Sequence, residues 1–98
     1  MASYLVEFHP AAVEEGRAAR EWYEQRNTSA AAAFLAELDK AIAKISETPE
    51  GSPSYVHGTR RFLLRRFPFY VVFRVCRDRI VIVAIAHARR RPNYWKSR

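Results

Sequence analysis

The 98-residue sequence predicts one α+β domain, spanning residues 1–98, with a strand, a helical hairpin and a three-stranded antiparallel meander in that order. Two observations predict this order. Apolar residues recur every three or four positions between residues 10 and 48, as in helices, and every second position after residue 59, as in strands. The connection over residues 48–59 has two prolines, two glycines and no periodicity. Because such elements pack in two layers, we expect the hairpin to cover one face of the sheet.

The first part begins with a strand and continues as two helices. Tyr4–Phe8 is rich in strand formers, and the proline that follows shortly after it fits the first turn of a helix. The spacing predicts a first helix over Pro10–Arg26, with Thr28 or Ser29 as the N-cap of a second helix that ends before Thr48. We expect the glutamates of the first helix, Glu14, Glu15, Glu21 and Glu24, to face away from the core. The apolar face of the second helix comprises Ala31, Phe34, Leu35, Leu38, Ala41, Ile42 and Ile45.

Three strand-like runs follow the connection. Arg60–Phe67 places Phe62 and Leu64 on one face, and Phe69–Cys76 alternates in the same way. Ile80–His87 is apolar on both faces, which is typical of a central strand. The cations expected on the sheet face away from the helices are Arg61, Arg65 and Arg74.

Charge is divided unevenly along the chain. Residues 1–59 carry five Lys+Arg and nine Asp+Glu, whereas residues 60–98 carry twelve Lys+Arg and one Asp, so a net charge of −4 is followed by one of +11. Fourteen of the seventeen cations are arginine, whose planar guanidinium suits bidentate contact with phosphates and carboxylates. The second part is therefore a candidate anion-binding surface.

Several classes of protein are excluded or disfavoured by the sequence. There is no apolar stretch of about 18 residues and no signal-peptide pattern, so we expect a cytoplasmic protein without a membrane partner. Cys76 is the only cysteine, which excludes an intramolecular disulfide. His9, His57 and His87 are too far apart to form a spaced metal-ligand set with it, and no glycine-rich phosphate loop is present, so we expect no metal and no cofactor.

Several motifs, in order along the chain, resemble the RelE/ParE family of bacterial type II toxins. They are Phe-x-Pro after the first strand, WYE at residues 22–24, GTRRFLLRRFPFYVVFRV at 58–75 and IVIVAIAHARRRPNYW at 80–95. The likeness runs over nearly the whole chain. Its most specific pieces are the arginine and Phe-Pro segment and the AxxHxRRxPxYW form of the tail.

The resemblance implies a small basic toxin that is neutralised by an acidic antitoxin, an attraction that would make capture fast and selective. RelE-like members cleave messenger RNA on the ribosome without a metal, whereas ParE-like members share the fold and poison DNA gyrase. We favour the ParE-like branch, because the strand cations are arginine, which is a poor proton donor, and because the tail has the tyrosine-tryptophan form. Ribosome-dependent RNA cleavage is the alternative, and a nucleic-acid binding module without catalysis is a third hypothesis.

Candidate site residues follow from these hypotheses. For RNA cleavage, His87 is the candidate acid or base, and its partners, if they converge, are Arg61, Arg65, Arg90 and Tyr94. For binding of the target or the antitoxin, the candidates are Arg60, Arg61, Arg65, Arg74, Arg89, Arg90, Arg91, Tyr94 and Trp95.

Each candidate also has a structural interpretation. The His87 ring would close its strand by a hydrogen bond to the backbone or to Tyr94. Tyr94 and Trp95 would hold the tail on the body, although they could also stack on a base. Trp22 and Tyr23 are expected to pack in the core.

Overall fold

The computed structural model describes residues 3–98. Two helices and four strands form the domain, and two single-turn 3₁₀ helices, Pro49–Gly51 and Val56–Gly58, lie in the long connection. The elements in chain order are β1 (Leu5–Phe8), α1 (Pro10–Glu24), α2 (Thr28–Glu47), β2 (Arg60–Leu63), β3 (Phe69–Cys76) and β4 (Arg79–His87). None of the helices in the described part of the chain is long and apolar enough to cross a membrane.

The four strands form one mixed sheet in the order β1-β4-β3-β2. β2, β3 and β4 are the predicted antiparallel meander, and β1 adds to it parallel to β4, with Leu5 opposite Arg79 and Phe8 opposite Ile82. β4 therefore has a strand on each side. Its apolar residues face a core on both sides of the sheet, as the central-strand prediction requires.

Side-chain caps explain where the helices begin. The Nδ1 atom of His9 accepts from the Ala11 amide, and Pro10 occupies the first helical position. The cap of α2 is Asn27, whose side-chain oxygen accepts from the amides of Ser29 and Ala30. The predicted N-caps Thr28 and Ser29 are thus wrong, because Asn27 has the extended backbone of an N-cap and the helix already includes Thr28 and Ser29. α1 also ends at Glu24, two residues earlier than predicted.

The helical hairpin covers one face of the sheet, as predicted. The core between the hairpin and the sheet includes an aromatic cluster, in which the rings of Tyr23, Phe67 and Phe69 pack around Phe34 at centroid distances of 5.3 to 5.5 Å. The other residues buried in this core are Ala12, Ala19, Leu38, Ala41, Ile45, Leu64, Val71, Phe73, Ile80, Ile82 and Ile85. Trp22 is not in this core, since the residue is 52% exposed, and the prediction for it is wrong.

The predicted strand Arg60–Phe67 is shorter than expected. β2 ends at Leu63, because the chain turns towards α2, where the Glu37 carboxylate accepts from the main-chain amides of Arg65 and Arg66. Arg65 therefore lies beside α2 and lines a hollow with Glu37 and Lys40. Its predicted place on the open sheet face is wrong.

The opposite sheet face carries a second core, which the C-terminal segment covers. Trp95 is fully buried there and packs with Tyr70 and Val72 of β3 and with residues of β4. A register shift leaves Val83 as an extra residue, since Val72 pairs with Ala84 and the next residue of β3 pairs with Ile82. The bulge turns two consecutive residues of β4 to the second core and keeps Ile82 in the first.

Candidate functional site

The end of the C-terminal segment is held by one carboxylate of α1. The Tyr94 hydroxyl donates to Oε2 of Glu15 at 2.7 Å, and the two terminal nitrogens of Arg98 donate to its two oxygens at 2.9 and 3.0 Å. Arg90 donates to Oε2 at 3.3 Å. The Glu15 side chain is only 12% exposed. Glu15 is thus a shared acceptor that fixes three side chains of the tail.

Glu15 also completes the edge of the sheet. β4 continues beyond the end of β1, so on that edge its later residues have no neighbouring strand in the described part of the chain. The Ile85 amide donates to Oε1 of Glu15 at 3.0 Å, and Arg98 donates to the Val83 carbonyl at 3.2 Å. A helix side chain and a tail side chain therefore replace the missing strand, as buried main-chain groups require.

Sequence reasoning missed Glu15 and placed it on the outer face of α1. A signal was present: Glu15 lies three residues after Ala12 and four before Ala19, which are both buried, so it belongs to the inward stripe of the helix. Glu14 and Glu21 do face solvent, where both pair with Arg17.

The environment of Tyr94 keeps its hydroxyl protonated. Burial raises the pKa of Tyr94, and the hydrogen bond to the Glu15 carboxylate raises it further. The Arg90 guanidinium stacks on the ring at 3.7 Å from its centroid. Tyr94 is therefore a hydrogen-bond donor in a structural contact.

Arg61 occupies a different place, on the sheet face that carries the second core. Its guanidinium lies 4.4 Å from the ring centre of Tyr55 and 5.2 Å from that of Tyr70. Its Nε atom is buried and has no hydrogen-bond acceptor among residues 3–98, and the two rings provide cation–π stacking for the group. Burial, and then the neighbouring Tyr55, raise the pKa of Tyr70.

Two further arginines of the predicted binding set are engaged by main-chain oxygens. Arg60 donates to the Ser52 carbonyl at 2.6 Å, and Arg74 donates to the main-chain oxygen of Arg98 at 3.1 Å. Both side chains are partly exposed. They hold the connection and the tail on the sheet while part of each remains accessible.

His87 closes the end of β4, as its structural interpretation proposes. Its Nδ1 atom accepts from the Arg89 amide at 3.0 Å, and its ring meets Phe69 edge-on at a centroid distance of 5.0 Å. The bond is to the backbone and not to Tyr94. Because Phe69 packs in the helix-side core, His87 lies on that side of the sheet.

The five candidates for RNA cleavage do not converge. His87, Arg90 and Tyr94 lie near α1, Arg61 lies on the second core across the sheet, and Arg65 lies beside Glu37 of α2. The condition for a shared catalytic group is therefore not met in this structure, because β2 ends before Arg65 and because β4 places its last residue, His87, on the helix side.

Trp95 was among the predicted binding residues, but it is completely buried, so its ring has no surface that a partner could contact. The accessible cations lie elsewhere. Within residues 3–98, Arg66 and Arg79 pair with carboxylates, as do Arg90 and Arg98 at Glu15. The basic residues of the second half with no such pair among the described residues are Arg60, Arg61, Arg65, Arg74, Arg77, Arg89, Arg91 and Lys96. The positive charge of this half is therefore largely uncompensated.

Comparison with known proteins assigns the family. The protein-family model described as ParE toxin of type II toxin-antitoxin system, parDE, matches residues 6–92. The chain belongs to the ParE toxin family. Among solved structures, a chain of the chromosomal ParDE TA system from P. aeruginosa is similar to this ParE-family chain, with a TM-score of 0.76 and 21% sequence identity. The similarity covers 87% of this chain and 96% of that chain. A search of curated proteins found no significant match.

The family match covers both helices, β2, β3 and β4 and all but the first residue of β1, and it ends at Pro92. Tyr94, Trp95 and Arg98, which contact Glu15 and the second core, lie beyond the matched segment.

Proposed function

We propose that this chain is the toxin of a toxin-antitoxin pair, that it acts by inhibiting DNA gyrase, and that an acidic antitoxin neutralises it. Family membership supports the toxin role. The observation that carries the choice of target is the separation of Arg61, Arg65 and His87 into three places. Of the three arginines that would help the predicted acid or base to stabilise a reacting phosphate, only Arg90 lies near His87, and its guanidinium is already bonded to Glu15 and stacked on Tyr94.

The charge distribution supports a macromolecular partner that is acidic. The uncompensated arginines lie on both sides of the sheet and in the segment after β4, where Arg89 and Arg91 are exposed. Such a surface steers an acidic protein towards it and favours its capture at low salt. A short acidic reading frame beside the gene is expected to encode the antitoxin.

Induction of the protein in cells tests the target. Inhibition of gyrase predicts filamentation, DNA breaks and an SOS response, and co-expression of the adjacent acidic protein should prevent all three. Arrested translation with cleaved messages and intact DNA would overturn gyrase as the target in favour of RNA cleavage. Growth without any defect would overturn the toxin role.

Purified gyrase tests which arginines reach the target. Arg91→Glu and Arg77→Glu are matched changes, since both residues are exposed, both lack an ion pair among the described residues, and they lie beyond opposite ends of β4. We propose that the target docks on the segment after β4, which carries three consecutive arginines at 89–91. We therefore expect Arg91→Glu to weaken inhibition of supercoiling and Arg77→Glu to have little effect. Equal loss in the two variants would show a general effect of charge and contradict docking through the tail.

A further inference from the structure

A cavity of about 440 Å³ opens between α1, the end of β4 and the turn before β3. Its size lies within the roughly 300–1,000 Å³ typical of ligand pockets. The walls are mainly apolar. The lining residues from α1 are Glu15, Ala18, Ala19, Trp22 and Tyr23, and those from the sheet and turn are Pro68, Phe69, Ile85, His87 and Arg90.

The sequence of α1 explains why the space is empty. Ala18 and Ala19 are small residues at the centre of the wall, whereas the next turn of the helix carries Trp22 and Tyr23. Trp22 is 52% exposed, with its edge against Tyr23 at a centroid distance of 5.1 Å. The Arg26 guanidinium covers one of its faces at 3.7 Å. The indole therefore borders a hollow that the protein's own side chains do not fill, which is typical of a binding site.

The charged end of the cavity is positive. The Glu15 carboxylate already accepts from Tyr94, Arg98 and Arg90, so it presents no free negative charge. Arg90 is 53% exposed at the rim. Arg89 and Arg91, on either side of it in the chain, are exposed and have no carboxylate partner among residues 3–98. An apolar hollow thus lies next to three consecutive cations.

We propose that this cavity is an anchor site for an acidic peptide segment of a partner protein, which inserts one large apolar side chain between Trp22 and Phe69 and pairs its carboxylates with Arg89–Arg91. The proposal rests on the proposed function, since it gives the antitoxin a point of attachment on the toxin. Anchors of this kind, a buried ring with charges around it, supply much of the affinity of protein interfaces.

The lining favours a peptide side chain over a nucleic-acid base. A base carries polar edges that need donors and acceptors inside the pocket. Here most of the wall surface is apolar, from side chains such as Ala18, Phe69 and Ile85, and the Glu15 carboxylate is already engaged. The other polar groups of the lining belong to Trp22, Tyr23, His87 and Arg90 and are the smaller part of its surface. An aliphatic or aromatic hydrocarbon side chain gives up no hydrogen bond when it enters such a cavity.

A peptide titration tests the site. The probe is the synthetic peptide Glu-Glu-Phe-Asp-Glu with blocked ends, which contains no tryptophan. Trp22 borders the cavity and Trp95 is fully buried elsewhere, so a change in tryptophan fluorescence on binding reports Trp22. We expect saturable binding that weakens with salt, and binding weaker by about tenfold or more when alanine replaces phenylalanine in the peptide.

Matched variants show whether the hollow is responsible. Ala18→Leu fills the cavity from an exposed helix position, and Ala32→Leu makes the same change at an exposed position of α2 that does not line it. Leucine is a good helix former, and circular dichroism checks that both variants fold. We expect Ala18→Leu to weaken binding of the peptide about tenfold and Ala32→Leu to leave it unchanged.

Four results would overturn the anchor site. They are no saturable binding, equal binding of the peptide with alanine in place of phenylalanine, equal binding by Ala18→Leu, and a single-stranded oligonucleotide that competes with the peptide and itself loses affinity in Ala18→Leu. These results come from purified protein and leave the induction assay to decide the toxin role. Conversely, absence of toxicity in cells leaves the titration as the test of the cavity.

Discussion

Replacement of Glu15 by glutamine should loosen the C-terminal segment from the body of the protein. Glutamine keeps the size of the side chain but loses its charge and offers a single acceptor oxygen. The two nitrogens of Arg98, the Tyr94 hydroxyl and the Ile85 amide then compete for that oxygen, and the partly buried guanidinium of Arg98 is left without a counter-charge. The domain should remain folded but become clearly less stable.

The magnitude follows from the burial of the pair. The side chains of Glu15 and Arg98 are 12% and 16% exposed, so solvent screens them little. Removal of one partner from a buried ion pair costs about 3–5 kcal/mol, and the oxygen that glutamine retains recovers part of this. We therefore expect a loss of about 3 kcal/mol, a large part of the roughly 5–15 kcal/mol that stabilises a domain of this size.

Urea denaturation measures the loss, and Glu24→Gln is the matched control. Glu24 lies at the exposed end of α1 and its side chain makes no hydrogen bond among the described residues, so its replacement should change stability by less than about 0.5 kcal/mol. Hydrogen exchange adds a local readout, because the Ile85 amide should lose protection in Glu15→Gln. Equal stability of the two variants, with Ile85 still protected, would refute the role assigned to Glu15.

Three further predictions concern the tail and the turn beside α2. Trp95→Ala should cost about 3–5 kcal/mol in chemical denaturation, because it empties the centre of the second core; a loss below about 1 kcal/mol would contradict that packing. Tyr94→Phe should lower the free energy of unfolding by about 1.5–3 kcal/mol, because the hydrogen bond to Glu15 is lost. Burial, and then that hydrogen bond, raise the pKa of Tyr94, so an alkaline absorbance titration should count the same number of tyrosines ionising before unfolding in the variant as in the original protein. Burial alone would raise the pKa of Glu37, but hydrogen bonds from Arg65 and Arg66 outweigh it and lower the pKa. The stability that Glu37 contributes is therefore present above its ordinary pKa of 4.5 and lost as the pH falls below it, so Glu37→Gln should flatten the acid side of a stability-against-pH curve, and an unchanged slope would refute this.

The elements that the sequence predicted correctly are those in which one periodicity dominates. The second helix was predicted because the apolar residues from Ala31 to Ile45 recur on one face, and most of them are buried against the body of the protein. Leu35, which was also expected on that face, is instead 40% exposed. The central position of β4 followed from its two apolar faces. The ends of the elements were predicted less accurately. The strand predicted to reach Phe67 ends at Leu63, because the strand-like alternation continues past the point where the Glu37 carboxylate binds the Arg65 amide.

The candidate site was predicted less well than the fold. The basic character of the second part and the packing role of Tyr94 and Trp95 were visible in composition and residue type. Composition and residue type could not show whether Arg61 lies near His87, because that depends on which face of the sheet each side chain occupies. The hydrogen bonds of Glu15 could not be predicted from the sequence, because its partners lie 70 or more residues away in the chain.

By itself, the sequence determined the α+β class, the order of the elements and the accumulation of arginine after residue 59, since periodicity and charge are local properties of a chain. Only the tertiary structure decided that β1 pairs with β4, that the tail folds back onto Glu15, and that Ala18 and Trp22 border an open cavity. The physical reason is that a contact between distant residues depends on how whole elements pack, and the shared acceptor, the buried indole and the hollow are all products of that packing.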